Sequence, residues 1–205
     1  MDIECYGIRL VRLTAPLIEQ VRLWRNRPDI VVQMEYQQPI TAEMQQAWFT
    51  RIDNANHHYF LIAQNGQYGG LIHTAPVDWQ MGEADTGLFL AETNWIDTPI
   101  PALASLAMVE TFFENVGLKR LRAKVHQANT KALRYNASLG FVPVGLGMNP
   151  DFVLLELTPE RFFPLTLKAR AAAAKLYGGR KKLILSDSPL AAFSFQEGGG
   201  IELVF

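Results

Sequence analysis

The chain has 205 residues, of which 49% are hydrophobic and 19% charged, a composition typical of one globular domain or a domain with an appendage. Because the formal net charge is −1 and no apolar run reaches the ~18 residues of a membrane span, we expect neither a nucleic acid nor a membrane as partner. The single cysteine, Cys5, excludes an internal disulfide framework, and Asp2 and Glu4 stand where a secretory signal carries positive charge, so we expect a cytoplasmic protein.

The N-terminal quarter of the chain predicts one strand and two helices. The strand lies near Ile8–Leu13, and Thr14 suits the N-cap of the helix that follows. A second helix is predicted from about Ala42 to Ile52, with Thr41 as its N-cap. Each helix has one apolar stripe at helical spacing. The stripes are Leu17, Val21 and Trp24 in the first helix and Met44, Trp48 and Ile52 in the second.

A hairpin and a further strand are predicted next. Asn65-Gly66 is a strong signal for a two-residue turn, between strands around Tyr59–Ile62 and Leu71–Ile72. The segment 82–92 then predicts another strand, which begins after a turn at residues 81–82. These elements place at least three strands in the first half of the chain.

The next segment predicts a strand–helix–strand unit. A strongly apolar helix from Ala102 to Val116 ends at Gly117. Its successor is a strand whose apolar residues alternate with basic ones, namely Leu121, Ala123 and Val125. Asn129 then suits the N-cap of a short helix that Gly140 ends in the left-handed conformation.

The C-terminal part predicts a closing hairpin followed by an extension. A short helix that Pro164 interrupts precedes an alanine-rich helix at Thr166–Tyr177, and two or three strands are expected in residues 181–205. We therefore divide the chain into a domain at 1–157 and an extension at 158–205. The sequence leaves open whether the extension packs on the same domain or forms a homodimer contact.

The segment around the short helix resembles the GNAT superfamily of acetyl-CoA-dependent N-acetyltransferases. Asn129, Ala132 and the pair Gly140-Phe141 match its N-x-x-A/S then G-F pattern. The resemblance covers roughly residues 8–157. It implies an α/β (α+β) fold, in which a mixed, mostly antiparallel central sheet has a βαβ core and flanking helices.

The N-terminal helices are similar to one branch of that superfamily. The triplet Trp24-Arg25-Asn26, the Ile40-Thr41 helix start and Trp48 match that branch. It includes amino-sugar N-acetyltransferases of the pseudaminic-acid type and lies near the ribosomal-protein N-terminal acetyltransferases. Many members have a histidine where this chain has Gln45, so a role for that histidine is not carried over.

The resemblance implies acetyl-CoA as co-substrate. In the family a bulged strand pairs with the pantetheine arm, and residues 87–90 occupy that place. The family's pyrophosphate loop is glycine-rich, whereas Pro99 and Pro101 stand here and each removes an amide donor. Lys131 and Arg134 are candidate replacements for the lost donors. The candidate cofactor-binding residues are Leu88, Phe89, Leu90, Thr98, Ile100, Ala102, Leu103, Asn129 and Ala132.

Acetyl transfer to an amine needs a base for the amine proton, donors for the oxyanion and an acid for the leaving thiolate. Asp85 and His126 are the candidate bases. In many family members the acid is a tyrosine seven residues after the motif asparagine. That position is Asn136 here and Tyr135 precedes it, so both are candidates. The histidines at 57, 58 and 73 form no ligand constellation with acids or Cys5, and we expect no metal.

The acceptor pocket is expected in the N-terminal part, and its candidate lining residues are Arg25, Asn26, Glu35 and Tyr36. We predict an N-acetyltransferase that acts by direct transfer on a primary amine of a small molecule such as an amino sugar. An acidic groove around Glu35 and Asp85 would suit a cationic acceptor. Two alternatives stay open. One is a protein N-terminus as acceptor, and the other is a GNAT-like binding or assembly module without efficient catalysis, which Pro99, Pro101, Gln45 and Asn136 favour.

Overall fold

The structure is a computed structural model that describes residues 1–184 and 201–204. Ten strands form one sheet in this part of the chain. They are β1 (Asp2–Cys5), β2 (Ile8–Arg12), β3 (His58–Gln64), β4 (Gln67–Asp78), β5 (Glu83–Leu90), β6 (Arg120–His126), β7 (Val142–Leu146), β8 (Phe152–Leu157), β9 (Lys181–Ile184) and β10 (Ile201–Val204). Their order is β10-β9-β1-β2-β3-β4-β5-β6-β8-β7. Those further strands expected in residues 191–200 lie outside the described residues.

Six α-helices flank the sheet in the described part. They are α1 (Ile18–Arg25), α2 (Pro28–Val31), α3 (Ala42–Ile52), α4 (Ile100–Glu110), α5 (Thr130–Leu139) and α6 (Pro159–Tyr177). Within the described sheet only the pairs β5–β6 and β9–β10 run parallel, and the other neighbours are antiparallel. The predicted mixed, mostly antiparallel sheet with flanking helices and a βαβ core is confirmed.

The sheet separates two apolar cores. On one face α4 and α6 cover it, through buried residues that include Leu103, Leu106, Phe112 and Phe162. On the other face α1 and α3 cover it, through residues that include Val21, Trp24 and Phe49, which pack with Leu71 of β4. Each strand of the centre therefore contributes alternate residues to the two cores.

Several local predictions are confirmed by the structure. Thr41 accepts a hydrogen bond from the Met44 amide at 3.2 Å and so begins α3. Asn129 accepts one from the Ala132 amide at 3.0 Å, and Gly140 ends the same helix, α5, at φ 102°. Capping side chains and a left-handed glycine thus fix the ends of the helix that carries the family pattern.

Four helices differ from the expectation. The stripe of α3 is rotated by one residue: Gln45, Phe49 and Ile52 are buried, whereas Met44 is 42% exposed. The Gln45 side chain is buried because its Nε2 donates to the Ile18 carbonyl at 3.1 Å, which ties α3 to α1. Thr14 makes no cap bond, and a 3-10 turn at Ala15–Leu17 precedes α1.

The apolar helix α4 begins two residues earlier than predicted and ends as a π-helical turn at Thr111–Asn115. Pro164 does not interrupt the C-terminal helix, since α6 is continuous around it. At this position the proline removes one hydrogen bond, to the carbonyl of residue 160, while burial of Phe162 in the core stabilises the helix.

The described part of the extension packs against the sheet. Strand β9 pairs antiparallel with β1. The Lys181 ammonium lies 3.2 Å from Asn115 Oδ1 and 3.9 Å from Glu110 Oε1, and the Tyr6 hydroxyl donates to Glu110 Oε2 at 2.6 Å. These polar contacts join β1, β9 and the end of α4. Among the described residues no helix combines the length and the apolar character needed to cross a bilayer.

Candidate active site

A gap opens in the middle of the sheet where two parallel strands separate. Strands β5 and β6 pair through Glu83, Ala84 and Asp85. Beyond Asp85 the described residues of the two strands form no further pair, although β5 stays on β4 and β6 stays on β8. The gap is therefore bordered by backbone of two strands whose outer edges are held in place.

Two backbone amides of β5 point into this gap. The Ala91 amide donates to the Gly69 carbonyl of β4 at 2.8 Å. Because successive residues of a strand direct their N–H groups to opposite sides, the Phe89 amide also points to β4, and the Leu88 and Leu90 amides point away from it. Of the three predicted residues in this segment, Leu88 and Leu90 thus offer amides to a bound molecule.

The bulge expected at residues 87–90 is not found there. The ladder between β4 and β5 is regular from Leu90 to Thr86 and shifts register between Thr74 and Val77 of β4. The expectation was wrong because the bulge lies in the neighbouring strand. Two residues of β4, between Thr74 and Val77, oppose the single residue Asp85 of β5. The extra residue changes the pairing beside Asp85 and leaves the Leu88 and Leu90 amides in a regular strand.

The α5 helix borders the other side of the gap, and its N-cap is fully engaged. Besides capping the Ala132 amide, Asn129 donates from Nδ2 to Gln33 Oε1 at 2.7 Å. Asn136 donates from Nδ2 to the Ala132 carbonyl at 2.9 Å, one turn earlier in the same helix. Its amide nitrogen is thus bound within α5, and its predicted catalytic role stays a prediction.

The N-terminus of α4 offers fewer amides than expected. Pro99 is the N-cap, and Pro101 in the first turn has no N–H. The Ile100 amide donates to Thr98 Oγ1 at 3.3 Å, and the Leu103 amide donates to the Pro99 carbonyl at 2.9 Å. Leu103, predicted to contact the cofactor, therefore uses its amide inside the helix. Ala102 is half-exposed and is the remaining donor of this turn.

A surface ion pair lies beside this helix end. Lys131 of α5 approaches Asp97 of the preceding loop, with Nζ 2.8 Å from Oδ1, and both side chains are largely exposed. Arg134 is exposed on the same helix. The proposed replacement for the lost amide donors is thus a lysine that a carboxylate already neutralises.

Tyr135 connects the two helices that flank the gap. Its hydroxyl donates to the Pro101 carbonyl at 2.8 Å and lies 2.7 Å from Ser105 Oγ. Burial raises the pKa of this phenol, against a smaller opposing effect of Ser105. The hydroxyl is therefore directed at α4, and the role of Tyr135 as a proton donor to the thiolate stays a prediction.

Asp85 has basic neighbours on β6. It lies opposite Arg122 in the parallel pair. Burial raises the pKa of the Asp85 carboxyl, and the charges of Arg122 and Lys124 oppose that shift. Glu83 is bound by Arg120 at 2.7 Å and by Arg122 at 2.5 Å. Of the two carboxylates on this strand, Asp85 is the one that forms no direct ion pair with a described residue.

The second candidate base, His126, lies at the far end of the gap. Its Nδ1 accepts a hydrogen bond from the Ala128 amide at 3.1 Å, and its ring packs edge-on against Phe152 at 5.1 Å. In this arrangement the neutral ring carries its proton on Nε2 and presents a donor rather than a lone pair. Glu35, Tyr36 and His126 line one cavity of about 390 Å³.

The loop between α2 and α3 reaches across the gap. Glu35 Oε2 lies 2.8 Å from Lys124 Nζ, and Gln33 contacts Asn129. Asn26 holds the end of this loop, because its Nδ2 donates to the Ile40 carbonyl and its Oδ1 accepts from the Ile40 amide, each at 2.8 Å. Asn26 was predicted to line the pocket, but both ends of its amide are used by the loop backbone.

Sequence reasoning missed a row of residues that crosses three strands. Tyr59, His73 and Gly87 are direct neighbours on β3, β4 and β5. Tyr59 and His73 stack at 4.9 Å, and a Cβ on Gly87 would lie 2.6 Å from the His73 ring. Burial lowers the pKa of His73 to about 4, with a further contribution from Arg25, so its ring is neutral at pH 7. The glycine leaves room for that ring.

The expected acidic groove is not formed by the described residues. Glu35 is paired with Lys124, and Asp85 lies beside Arg122 and Lys124. Arg25, at the end of α1, adds a further positive charge near Tyr59. The expectation was wrong because each acidic residue of the groove faces a basic residue from another element.

Comparison with known proteins identifies the architecture. A family model described as "Acetyltransferase (GNAT) domain" matches residues 8–142. The comparison with curated proteins gave no match. Among solved structures, a putative acetyltransferase from T. thermophilus is similar, with 18% identity, a TM-score of 0.69, and coverage of 86% of this chain and 97% of that one.

Two other similar solved structures are of acetyltransferases with a named substrate. Spermidine N-acetyltransferase from Vibrio cholerae, in complex with CoA and spermine, has 13% identity, a TM-score of 0.68, and coverage of 77% of this chain and 98% of that one. A ribosomal L7/L12 α-N-protein acetyltransferase in complex with coenzyme A has 13% identity, a TM-score of 0.62, and coverage of 74% and 94%. At these identities the likeness concerns the fold alone.

Proposed function

The chain belongs to the GNAT acetyltransferase family, and from this premise we propose that it is an acetyl-CoA-dependent N-acetyltransferase. The proposed acceptor is a primary amine of a small molecule such as an amino sugar. The observation that carries the proposal is the gap between β5 and β6, where the Leu88 and Leu90 amides are unpaired by any described strand and Asp85 stands at the closed end. Two amide donors and the proposed base thus border the same gap.

In this proposal the Leu88 and Leu90 amides bind the pantetheine arm and polarise the thioester carbonyl. Amides of a strand that is fixed on its other edge by β4 are preorganised, so that no donor has to turn toward the developing oxyanion. Asn129 holds the N-terminus of α5 against the same gap by capping the Ala132 amide. Acetyl-CoA supplies the activated acyl group.

We propose Asp85 as the general base. The amine nitrogen attacks the thioester carbon, the new C–N bond forms as the C–S bond breaks, and the amine proton goes to the Asp85 carboxylate, directly or through one water. The thiolate leaves with the bonding electron pair and takes a proton from solvent water. A pKa above the ordinary aspartate value, which burial of Asp85 produces, makes the carboxylate a stronger base.

The contacts of the loop between α2 and α3 favour a small acceptor rather than a protein N-terminus. Contacts from Gln33 to Asn129 and from Glu35 to Lys124 hold this loop over the open face of the gap. A protein terminus would have to enter as an extended chain and displace both contacts. An acceptor of a few rings fits a cavity of about 390 Å³, which His126 and Tyr36 line.

A second candidate function is a binding or assembly module of the same fold. The proline pair at the start of α4 supports it, because Pro99 and Pro101 reduce the phosphate-binding amides of this helix end. If the dissociation constant for coenzyme A exceeded its concentration in the cell, the domain would be folded but inactive.

Acetyl transfer by the purified protein tests the proposal. Thiol release from acetyl-CoA is measured against amino sugars, other small amines, polyamines and peptides with free N-termini. We expect turnover with a small amine and none with the peptides. Thiol release with peptides alone would favour the protein N-terminal acetyltransferase, and acetyl-CoA binding without turnover of any amine would favour the module.

A further inference from the structure

His73 directs the nitrogen-bearing edge of its ring over Gly87 of the neighbouring strand β5. A Cβ on Gly87 would lie 2.6 Å from Cε1 of His73, 3.3 Å from Nε2 and 3.4 Å from Nδ1. The edge of the imidazole that contains both nitrogens therefore occupies the space of a side chain at position 87. Tyr59 stacks on the same ring, with the centroids 4.9 Å apart and 22° between the planes. The two stacked rings form an aromatic floor on the sheet face that α1 and α3 cover.

The ring nitrogens of His73 are accessible and have no hydrogen-bond partner among the described residues. The side-chain hydrogen bond that His73 receives is at its backbone carbonyl, which accepts from Thr86 Oγ1 at 2.7 Å. In the described part of the chain, the buried side-chain atoms that lack a partner are His58 Nε2 and Arg120 Nε. Since the His73 nitrogens lack a partner and are not among these buried atoms, they reach accessible space. Both are therefore available to a bound molecule.

The other three of the four histidines are used differently. His57 Nδ1 lies 2.9 Å from Asn54 Oδ1, and His126 Nδ1 accepts a hydrogen bond from a backbone amide at 3.1 Å. His58 packs against the core that α4 and α6 cover, on the opposite face of the sheet. His73 is therefore the histidine that presents two unengaged nitrogens on the face proposed for the acceptor.

The ring edge of His73 and the proposed base lie on one face of β5. Phe89 packs in the core that α1 and α3 cover, and side chains alternate along a strand. Asp85 and the space over Gly87 are therefore on that face as well. Two residues along a strand span about 6.6 Å. Because two hydrogen bonds that meet at one nitrogen span about 5–6 Å, an amine between Asp85 and the His73 edge is within reach of both.

The same place adjoins the amides proposed for the thioester. Leu88, whose amide points into the gap between β5 and β6, follows Gly87 directly. A neutral imidazole has one nitrogen with a lone pair, and that nitrogen accepts a hydrogen bond from an amine without repelling its charge. Burial keeps the His73 ring neutral at pH 7 by lowering its pKa to about 4. Position and protonation state thus suit an acceptor amine.

We propose that His73 is a further acceptor-binding residue, whose unprotonated ring nitrogen accepts a hydrogen bond from the amine of the acceptor. This inference rests on the proposed function and adds a second contact to the reacting nitrogen. One N–H of a primary amine donates to Asp85 and the other to His73, so that the nitrogen lone pair is directed at the thioester carbon.

The hydrogen bond to His73 strengthens during the reaction. As the C–N bond forms, the nitrogen becomes positively charged, and hydrogen bonds from a charged donor are stronger than neutral ones. When the C–S bond breaks, one proton passes to Asp85 and the thiolate takes its proton from solvent water, while His73 stays neutral. A secondary amine has a single N–H and satisfies only one of the two residues. His73 therefore selects primary over secondary amines.

His73→Phe tests the hydrogen bond, because phenylalanine keeps a ring on Tyr59 and has no nitrogen. We expect kcat/KM to fall about ten- to a hundredfold, as a hydrogen bond to a charged group predicts, with acetyl-CoA affinity and melting temperature unchanged. His73→Gln, whose amide oxygen accepts hydrogen bonds, should recover part of the activity. His57→Phe is the matched control and should keep wild-type activity. Activity of His73→Phe within about twofold of wild type would overturn the inference.

Matched primary and secondary amines test the selection. The pairs are glucosamine with N-methylglucosamine and ethanolamine with N-methylethanolamine. We expect wild-type kcat/KM to be at least about tenfold higher for the primary amine, and this preference to fall below about threefold in His73→Phe. Because phenylalanine keeps the shape of the ring, a preference imposed by space alone would survive the substitution. Survival of the full preference would contradict the proposed hydrogen bond.

Gly87→Ala displaces the ring and leaves its nitrogens intact. The added Cβ would lie 2.6 Å from Cε1 of His73, so we expect kcat/KM to fall about as far as in His73→Phe. In a His73→Ala background the same substitution should have no further effect, since the ring is gone. Gly145→Ala is the control, because nothing lies within 4 Å of its Cβ. Equal losses from Gly87→Ala with and without the ring would count against His73.

NMR spectroscopy of the imidazole distinguishes failure of this inference from failure of the proposed function. If the wild type acetylates amines while the His73 variants keep its rate and preference, the inference alone fails. If no amine is acetylated, the proposed function fails, and titration with glucosamine and ethanolamine decides the inference. These amines should shift the Cε1–H signal of His73, which is identified by its loss in His73→Phe, and leave the His57 signal in place. No shift at millimolar amine would then overturn the inference.

Discussion

The two ends of the gap between β5 and β6 differ in how many polar groups are free to bind a substrate. At the closed end, the Leu88 and Leu90 amides and the Asp85 carboxylate have no competing partner in the described structure. At the α4 end, Pro101 removes one amide and Lys131 is bound to Asp97. The proposed acyl-transfer groups and the phosphate-binding groups lie on separate elements, so catalytic rate and cofactor affinity can change independently.

The largest expected effect comes from the closed end. Asp85→Asn should lower kcat/KM by about 10²- to 10⁴-fold, the usual contribution of a general base, with little change in acetyl-CoA affinity. Because burial raises the Asp85 pKa, wild-type activity should increase with pH through a value above that of an ordinary aspartate, as the carboxylate forms. The pH dependence of kcat/KM measures this rise in activity. The Asp85→Asn variant should show no such rise.

Asp53→Asn is a control for this substitution, since Asp53 is 58% exposed and lies after α3. It should keep wild-type activity. An Asp85→Asn variant with activity within about twofold of wild type would exclude Asp85 as the base.

Gly69→Ala should affect the α4 end through packing. A Cβ on Gly69 would lie 2.4 Å from the ring of the buried Trp95. The backbone carbonyl of Trp95 accepts a hydrogen bond from the Thr98 hydroxyl, just before α4. Overpacking of this kind costs about 1–3 kcal/mol of unfolding free energy, and displacement of Trp95 should weaken acetyl-CoA binding. Denaturant unfolding and calorimetric titration measure the two effects. Gly145→Ala is the control, since nothing lies within 4 Å of its Cβ; equal effects of both substitutions would contradict the packing argument.

Pro101→Ala should restore part of the phosphate binding at the N-terminus of α4. The substitution returns one amide to the first turn, while the Pro101 carbonyl that Tyr135 contacts is retained as backbone. One additional hydrogen bond to a phosphate is expected to tighten acetyl-CoA binding by about three- to tenfold. Calorimetric titration measures this, with Pro143→Ala on the exposed edge strand β7 as the control. An unchanged dissociation constant would mean that phosphates do not contact this turn.

Asp97→Asn is expected to have the smallest effect. It frees Lys131 from an exposed ion pair, and such pairs contribute about 0–1 kcal/mol. Acetyl-CoA binding should tighten by about two- to fivefold at low salt, and screening should remove the gain at high salt. A gain that is independent of salt would contradict this electrostatic explanation.

The local structure of the chain could be predicted where one residue decides it. Asn129 caps α5, Gly140 ends it at φ 102°, and Asn65-Gly66 turns the chain between β3 and β4. Each of these signals acts within a few residues and needs no tertiary partner. The fold class, which the resemblance to the GNAT superfamily implied, is also confirmed.

The row of Tyr59, His73 and Gly87 could not be predicted, because it depends on a shift of register. A regular hairpin around Asn65-Gly66 would place Tyr59 opposite Ile72. The irregularity between Ile62 and Ala63 moves the pairing by one residue and brings His73 opposite Tyr59. Since a shift of one residue exchanges the two faces of a strand, the aromatic floor of the site is set by an irregularity that the sequence does not signal.

Charge pairing was missed for a related reason. Glu35 meets Lys124 across 89 positions of the sequence, and Asn26 meets Ile40 because the loop folds back on α1. The sequence displays the acidic residues of the groove but not the basic residues that other elements bring to them. The charges of the described residues therefore do not support the expected preference for a cationic acceptor.

Calorimetric titration with acetyl-CoA, in competition with adenosine 3′,5′-bisphosphate, tests the comparison most directly. If the closed end supplies most of the binding groups, acetyl-CoA should bind in the micromolar to millimolar range, and a tenfold excess of the bisphosphate should displace little of it. No binding of acetyl-CoA at millimolar concentration, or full displacement by the bisphosphate, would contradict the assignment of the gap between β5 and β6 as the acetyl-CoA site.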